Sequence, residues 1–331
     1  MLILRKKKTI VKIDRDGTTM TEFFDVWKSE PYPIGTEEIE KFQRQGFIHL
    51  KKLFSKELVA YFSRYLERIL SPPEDKYQTG FNRVKYDVFE SDQIFQRLCT
   101  SDKFKDILCA LAQMDLLHTQ SLGFELKQNK NSGFPWHIGT QSFGFQHWQD
   151  FGCTLWTPMV EVDNKNQQGG MAYVPKDCVS GSFMYEHVDP SVFHLIQSTI
   201  DQGGSVELEE YIQLRDGPLN QMAMKRILDY YSVADDFELG DALLFDKYVI
   251  HKSVKLKKGP IDSRMALAMR FVDIDSRYDK KRAHSLEIPR KHLNFEGPTK
   301  YHLEVCEEDG QLLRESPFYK AKPERQLKRR Q

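Results

Sequence analysis

Phe134-Pro135-Trp136-His137-Ile138-Gly139-Thr140 is the stretch on which the reading of this chain turns. His137 stands where a mononuclear metal site takes its first imidazole, a common protein ligand for a transition metal. Two positions later, where the metal is expected to meet an aspartate, there is only Gly139. Far downstream, His251-Lys252-Ser253 supplies a second imidazole, and Arg264 follows on what reads as the next strand. Two histidines, a distant arginine and an absent carboxylate point to a metal site with its third protein position vacant.

Outward from this stretch, periodicity divides the chain. Residues 1–35 alternate loosely at Thr9-Ile10-Val11-Lys12-Ile13 and then lose pattern through Pro31, Pro33 and Gly35, which reads as an N-terminal extension with one short strand. Thr36 opens a capped helix start with acids in its first turn, where the helix dipole favours them, and Gly46 suits a left-handed C-terminal cap. Phe47-Ile48-His49-Leu50 reads as a strand, Ser55 as the cap of a second helix, and Asp102 to Gln113 as a third helix. Strand patterns follow at Leu122–Gln128, Cys153–Val162, Gly170–Val174, Ala242–Phe245 and Met265–Val272. Between Asp189 and Tyr231 the pattern is helical again. That block is either a lid over an open site or plain covering of the sheet. The tail from Arg314 to Gln331, basic at Arg325 and Lys328-Arg329-Arg330, reads as a solvated, frayed end, with a docking segment as the alternative.

Composition narrows the class. The 331 residues suffice for one large domain or two small ones with a substantial core. Lys plus Arg balances Asp plus Glu at 48 each, so no overall charge argues for nucleic acid. Five scattered cysteines without a CxxC read as free thiols in a reducing compartment. Met1-Leu2-Ile3-Leu4 before Arg5 is too short for a signal sequence, and no run is long enough to span a membrane. The expectation is a cytoplasmic protein that binds neither membrane nor nucleic acid.

Non-haem Fe(II) oxygenases that use 2-oxoglutarate take two histidines and one carboxylate on one face of the iron, and a cation, best an arginine, for the cosubstrate's far carboxylate. His137, His251 and Arg264 occur in the required order. Four stretches resemble the phytanoyl-CoA dioxygenase-like family of such oxygenases: Glu37 to Leu53, Pro135-Trp136-His137, Gln168 to Pro175, and His251-Lys252-Ser253 through Ser263-Arg264. The likeness covers roughly residues 36–275 and rests on the order of the motifs. It implies a double-stranded β-helix, a mainly β, cupin-like jelly roll with N-terminal helices outside and a helical insertion at about 189–231. The oxygenase domain is then residues 36–290, with 291–331 as a C-terminal extension.

Gly139 departs from the aspartate of most members. The iron-dependent aliphatic halogenases on this fold carry Ala or Gly there, and chloride or bromide takes the vacated position. The resemblance thus implies hydrogen abstraction at an aliphatic carbon followed by transfer of halogen instead of hydroxyl, with chloride joining Fe(II) and 2-oxoglutarate. Thr154-Leu155-Trp156 is similar to a halogenase strand in which the Thr supports the halide and the Trp contacts 2-oxoglutarate. Arg270 shares a strand face with Arg264, Ala266 and Ala268, while Met265, Leu267, Met269 and Phe271 take the other.

Each residue also has an ordinary reading. His137 can be a hydrogen-bonded strand histidine, and Gly139 a turn glycine whose carboxylate comes from Asp150 or Glu125. Lys127 is either a second cosubstrate cation or a surface lysine. His147, near Trp148 and Asp150, lines the pocket or simply sits in a loop. Thr154 and Trp156 can be core strand residues. The expected substrate is a small molecule or a group tethered to a carrier protein. An ordinary hydroxylase and a non-catalytic jelly-roll binder are the alternatives to a halogenase.

Overall fold

The computed structural model describes residues 20–72, 80–89, 92–293 and 301–328; the strand expected at Thr9–Ile13 lies outside them. Five helices precede or interrupt the first strands: α1 (Met20–Ser29), α2 (Thr36–Gln45), α3 (Lys56–Ile69), α4 (Gln93–Thr100) and α5 (Asp102–Ala112). The expected extension is therefore partly helical. Met20, Phe24 and Trp27 recur at helical spacing and bury one face of α1. At α2 the capping residue is Gly35, whose N–H donates to Glu38, and Gly46 closes the helix at φ 80° as expected. Ser55 caps α3 by accepting from the Leu58 N–H.

The strands are β1 (Phe47–Leu50), β2 (Arg83–Tyr86), β3 (Leu116–Lys127), β4 (Gly152–Pro158), β5 (Met171–Tyr173), β6 (Ala242–Asp246), β7 (His251–Ser253), β8 (Ser263–Asp273) and β9 (Gln326–Leu327). Seven of them form one antiparallel sheet in the order β1-β6-β4-β8-β3-β2, with β9 also paired to β3. The short pair β5-β7 makes the second layer. The result is a curled antiparallel half-barrel with flanking helices, the jelly roll expected from the sequence.

Alternation along β8 sorts the interior. Met265, Leu267, Met269 and Phe271 face the N-terminal helices in one core, with Phe62, Phe104 and Leu108 among their companions. Ala266 and Ala268 face the opposite way, with Leu122, Phe124, Trp156 and Phe245, toward the small sheet. This face holds the site, because its small residues leave room between the sheets.

The helical block expected between 189 and 231 forms α6 (Asp189–Asp201), α7 (Leu208–Asn220) and α8 (Met222–Tyr231). The tail is not frayed through its described part. Leu327 is buried and pairs with Leu116, and Arg325 donates to the Thr119 carbonyl, so its charge is spent inside the fold.

Gly240, just before β6, sits at φ 101°, and an added Cβ would lie 2.2 Å from the Phe54 carbonyl oxygen. Left-handed strain and this overlap together predict that Gly240→Ala lowers the unfolding free energy by about 2–4 kcal/mol. Urea denaturation checks this; a variant as stable as the parent contradicts the packing described.

Candidate functional site

His137 and His251 come together through their backbones. Each donates its N–H to the other's carbonyl, at 2.9 and 3.0 Å, in an isolated antiparallel bridge. The two rings stand 4.3 Å apart between centroids. His137 Nδ1 lies 2.8 Å from the Pro135 carbonyl oxygen, and His251 Nδ1 lies 2.9 Å from that of Val249. A carbonyl only accepts, so Nδ1 carries the proton in both rings and Nε2 keeps its lone pair. Burial holds His137 down to about 4 and His251 well below the usual histidine range, so both are neutral near pH 7. Phe134 packs beside the first ring and Phe245 beside the second, at 4.9 and 4.6 Å.

Both rings line a cavity of about 280 Å³, together with Gly139, Thr154, Trp156, Lys247 and Arg270. Register places the wall residues on successive rungs. Phe245, Thr154, Arg270 and Gln120 share one rung across β6, β4, β8 and β3. Trp156, Ala268 and Leu122 share the next, and Ala266 with Phe124 the one beyond.

Arg264 lies further along the same line. It is 1 % exposed, and its guanidinium lies 5.3 and 5.5 Å from the Phe124 and Trp156 ring centroids. Nε donates to the Gly169 carbonyl at 2.7 Å, on the turn joining Gln168 to β5. Nη1 and Nη2 have no partner, nor does Trp156 Nε1. Burial alone lowers the guanidinium to about 9. An unpaired buried charge costs several kcal/mol, far more than two ring faces return. Two parallel guanidinium donors and an indole N–H are the donor set that would match a carboxylate. Arg264 is not itself part of the cavity wall; it stands behind the two rings that are.

Gly139 is not required by the backbone. It has no positive φ, and an added Cβ would meet only Phe143 and Ser142 at 3.4–3.8 Å, ordinary contact distances. No group of three His, Cys, Asp or Glu side chains suited to a metal occurs among the described residues. Asp150 is engaged by Arg277 at 3.0 Å, and Glu125 by Arg83 at 2.8 Å. Neither replaces the missing carboxylate.

Lys127 is a correction. It sits on β3 with the parity of Glu125, is exposed, and does not reach the cavity that Leu122 and Phe124 line. His147 is likewise off the wall; its N–H donates to the Arg277 carbonyl. Thr154, Trp156 and Arg270 do line it, with Arg270 donating to Gln120 at 2.8 Å.

The helical block reaches the cavity through α7. Ile212, Arg215 and Asp216 of α7 line the cavity. Asn220 pins α7 to the histidine loop, its amide donating to the Trp136 carbonyl at 2.8 Å while its Oδ1 accepts from the Trp136 N–H. Trp136 Nε1 in turn donates to Asp229 of α8. Arg215, Asp216 and Lys247 escaped the sequence reading. The only signal was a charged pair, Asp246-Lys247, interrupting the apolar stretch from Leu243 to Ile250 shortly before His251.

Comparison with known proteins supports the fold. No family model matches the sequence. Ectoine dioxygenase of Stutzerimonas stutzeri (strain A1501) is 23 % identical over 159 residues, 44 % of this chain and 51 % of that protein; the match spans about half the relative's length. The non-heme alpha ketoglutarate dependent carbocyclase SnoK from nogalamycin biosynthesis aligns with a TM-score of 0.53 at 15 % identity, covering 76 % of this chain and 89 % of SnoK. EctD from S. alaskensis, solved with 2-oxoglutarate and 5-hydroxyectoine, aligns at 0.53 and 15 % identity over 86 % of this chain and 88 % of its own. These likenesses establish the jelly roll.

Four histidines held neutral by their surroundings predict acid sensitivity. His137 and His302 are held down to about 4, His118 and His251 well below 6.5, all chiefly by burial. The unfolded chain binds protons below about pH 6.5, whereas in the folded chain His137 and His302 resist until about 4 and His118 and His251 also stay neutral well below 6.5. Stability of the metal-free protein is therefore full above about 6.5 and drains between 6.5 and 4, by up to ~1.4 kcal/mol per pH unit for each histidine. Denaturation at pH 7.5 and pH 5 measures it; equal stability at both contradicts burial of neutral rings.

Proposed function

We propose that this chain is an Fe(II)/2-oxoglutarate-dependent oxidoreductase that activates an aliphatic C–H bond of a small molecule, with halide as the group transferred. The observation that carries the reading is a pair of neutral histidine rings, each held through Nδ1 by a backbone carbonyl, at one cavity near a buried guanidinium with two unpartnered donors. His137 and His251 would hold the iron, and Arg264 with the Trp156 N–H the far carboxylate of 2-oxoglutarate. Bound iron and 2-oxoglutarate supply the oxidising power with dioxygen. Overall, substrate C–H, halide, a proton, 2-oxoglutarate and dioxygen give the carbon–halogen product, succinate, carbon dioxide and water.

The chain's own residues do the rest. The carbonyls of Pro135 and Val249 keep both Nδ1 atoms protonated, so the rings present lone pairs at fixed orientation. Gly139 leaves a carboxylate-sized space and one negative charge fewer, a deficit that a halide fills. Thr154 and Arg270 line the same cavity as Gly139, on the rung of Phe245, whose ring packs on His251; in this reading they would support the halide. Helix α7 adds Ile212, Arg215 and Asp216 to the cavity wall, and the narrowed space would favour a free small molecule over a carrier-tethered group.

Hydroxylation is the second reading, favoured by the likeness to ectoine dioxygenase and EctD. Product masses separate the two: halogenation gives a product whose mass follows a switch from chloride to bromide, and hydroxylation one that ignores it. Gly139→Asp is expected to abolish the halide-dependent product, because the carboxylate refills the position, with little loss of stability. Halogenation retained in that variant counts against the halide assignment.

Arg264→Leu is expected to weaken 2-oxoglutarate binding by about 3 kcal/mol, roughly 100-fold, as for one partner of a buried charge pair. Arg270→Leu should instead raise the halide concentration needed for half-maximal turnover. Titrating each cosubstrate against succinate formation distinguishes them; the reverse pattern would exchange the two arginines' roles.

A further inference from the structure

Lys247 is a buried ammonium that nothing above employs. It is 2 % exposed, its Nζ has no hydrogen-bond partner, and it lines the same cavity as the two histidines. The carboxylate next to it in sequence, Asp246, is engaged elsewhere: it accepts from Lys176 Nζ at 2.8 Å and from the Tyr248 N–H. Arg282, on the same side, is committed to Asp189 and to the Tyr185 carbonyl. Asp216, the one carboxylate among the described cavity-lining residues, is held by two bonds from Arg215.

What Lys247 does touch is aromatic. Its Nζ lies 5.1 Å from the Tyr185 ring centroid and 5.2 Å from that of Tyr248, and the Tyr185 hydroxyl is itself unpartnered. A purely structural role would rest on these two ring faces. Such contacts return about 0.5–2 kcal/mol each, against several kcal/mol for desolvating an ammonium. Burial pulls the group down to about 7, against the raising influence of nearby Asp246.

Position identifies whose anion is missing. The Lys247 N–H donates to the Gly152 carbonyl, which extends the β6–β4 ladder one rung past Phe245, Thr154 and Arg270. Arg264 lies beyond Trp156 and Phe124 on the opposite side of that rung. A dicarboxylate reaching from the histidines to Arg264 therefore extends away from Lys247.

We propose that Lys247 is the recognition residue for a carboxylate of the primary substrate, so that the enzyme acts on a small organic acid. This rests on the reading of the cavity as an Fe(II)/2-oxoglutarate site. Tyr185 and Tyr248 flank the ammonium, and its contact with a carboxylate sets the substrate's pose beneath α7.

The test compares wild type, Lys247→Met and Lys247→Arg with straight-chain alkanoates, butyrate through octanoate, and their primary amides. Binding is followed by ligand-observed NMR on the metal-free protein and on the anaerobic Fe(II)/2-oxoglutarate form. Wild type should bind at least one acid about tenfold more tightly than its amide. Lys247→Met should erase that preference by weakening the acid alone, and Lys247→Arg should keep it. The visible charge-transfer absorption of the iron–2-oxoglutarate chelate should form in all three proteins with 2-oxoglutarate affinity changed less than about twofold. Equal binding of acid and amide by wild type overturns the proposal, as does a Lys247→Met variant that keeps the preference or loses the chelate instead. Absence of the chelate in every protein, with the acid preference intact, overturns the oxidoreductase reading and leaves Lys247 as a carboxylate site.

Discussion

The reciprocal backbone pair between His137 and His251 is the constraint on which the site depends. Residues 114 positions apart in the chain are held in one bridge, and the carbonyl two residues before each histidine takes its Nδ1 proton. Backbone groups therefore fix the tautomers, and no neighbouring carboxylate is needed for the purpose. Around this bridge the jelly roll arranges its other parts: aromatic rings pack on both imidazoles, and the small side chains of β8 leave open space between the sheets.

Charge organises the cavity along the strands. Arg264 lies toward one end, behind Phe124 and Trp156; Arg270 occupies the histidine level; Lys247 is one rung further. The wall's own carboxylate is already matched to Arg215. A cavity with this surplus of buried positive charge selects anions by electrostatics before shape is considered.

Much of this was legible in the sequence, for identifiable reasons. Period-two alternation on Ser263–Asp273 put Arg264 and Arg270 on one face and the methionines on the other, as found. Gly46 and Ser55 announced helix ends because caps are local chemistry. Lys127 misled although its parity with Glu125, opposite Leu126, already turned it outward. Helix α1 was hidden because it is short and Pro31 and Pro33 follow it closely. The tail looked solvated because the burial of Arg325 depends on a carbonyl some two hundred residues away, at Thr119. Lys247 and the Arg215–Asp216 pair could not be assigned from spacing, since a turn and an inserted helix bring them to the histidines only in three dimensions.

The most direct measurement of the central claim is anomalous diffraction from crystals grown anaerobically with Fe(II), 2-oxoglutarate and bromide, with data at the iron and bromine edges. The account predicts iron bonded to the Nε2 atoms of His137 and His251, and bromide bonded to that iron on the side of Gly139. Iron bonded there to a side-chain carboxylate, from Asp216 or any other residue, would contradict it.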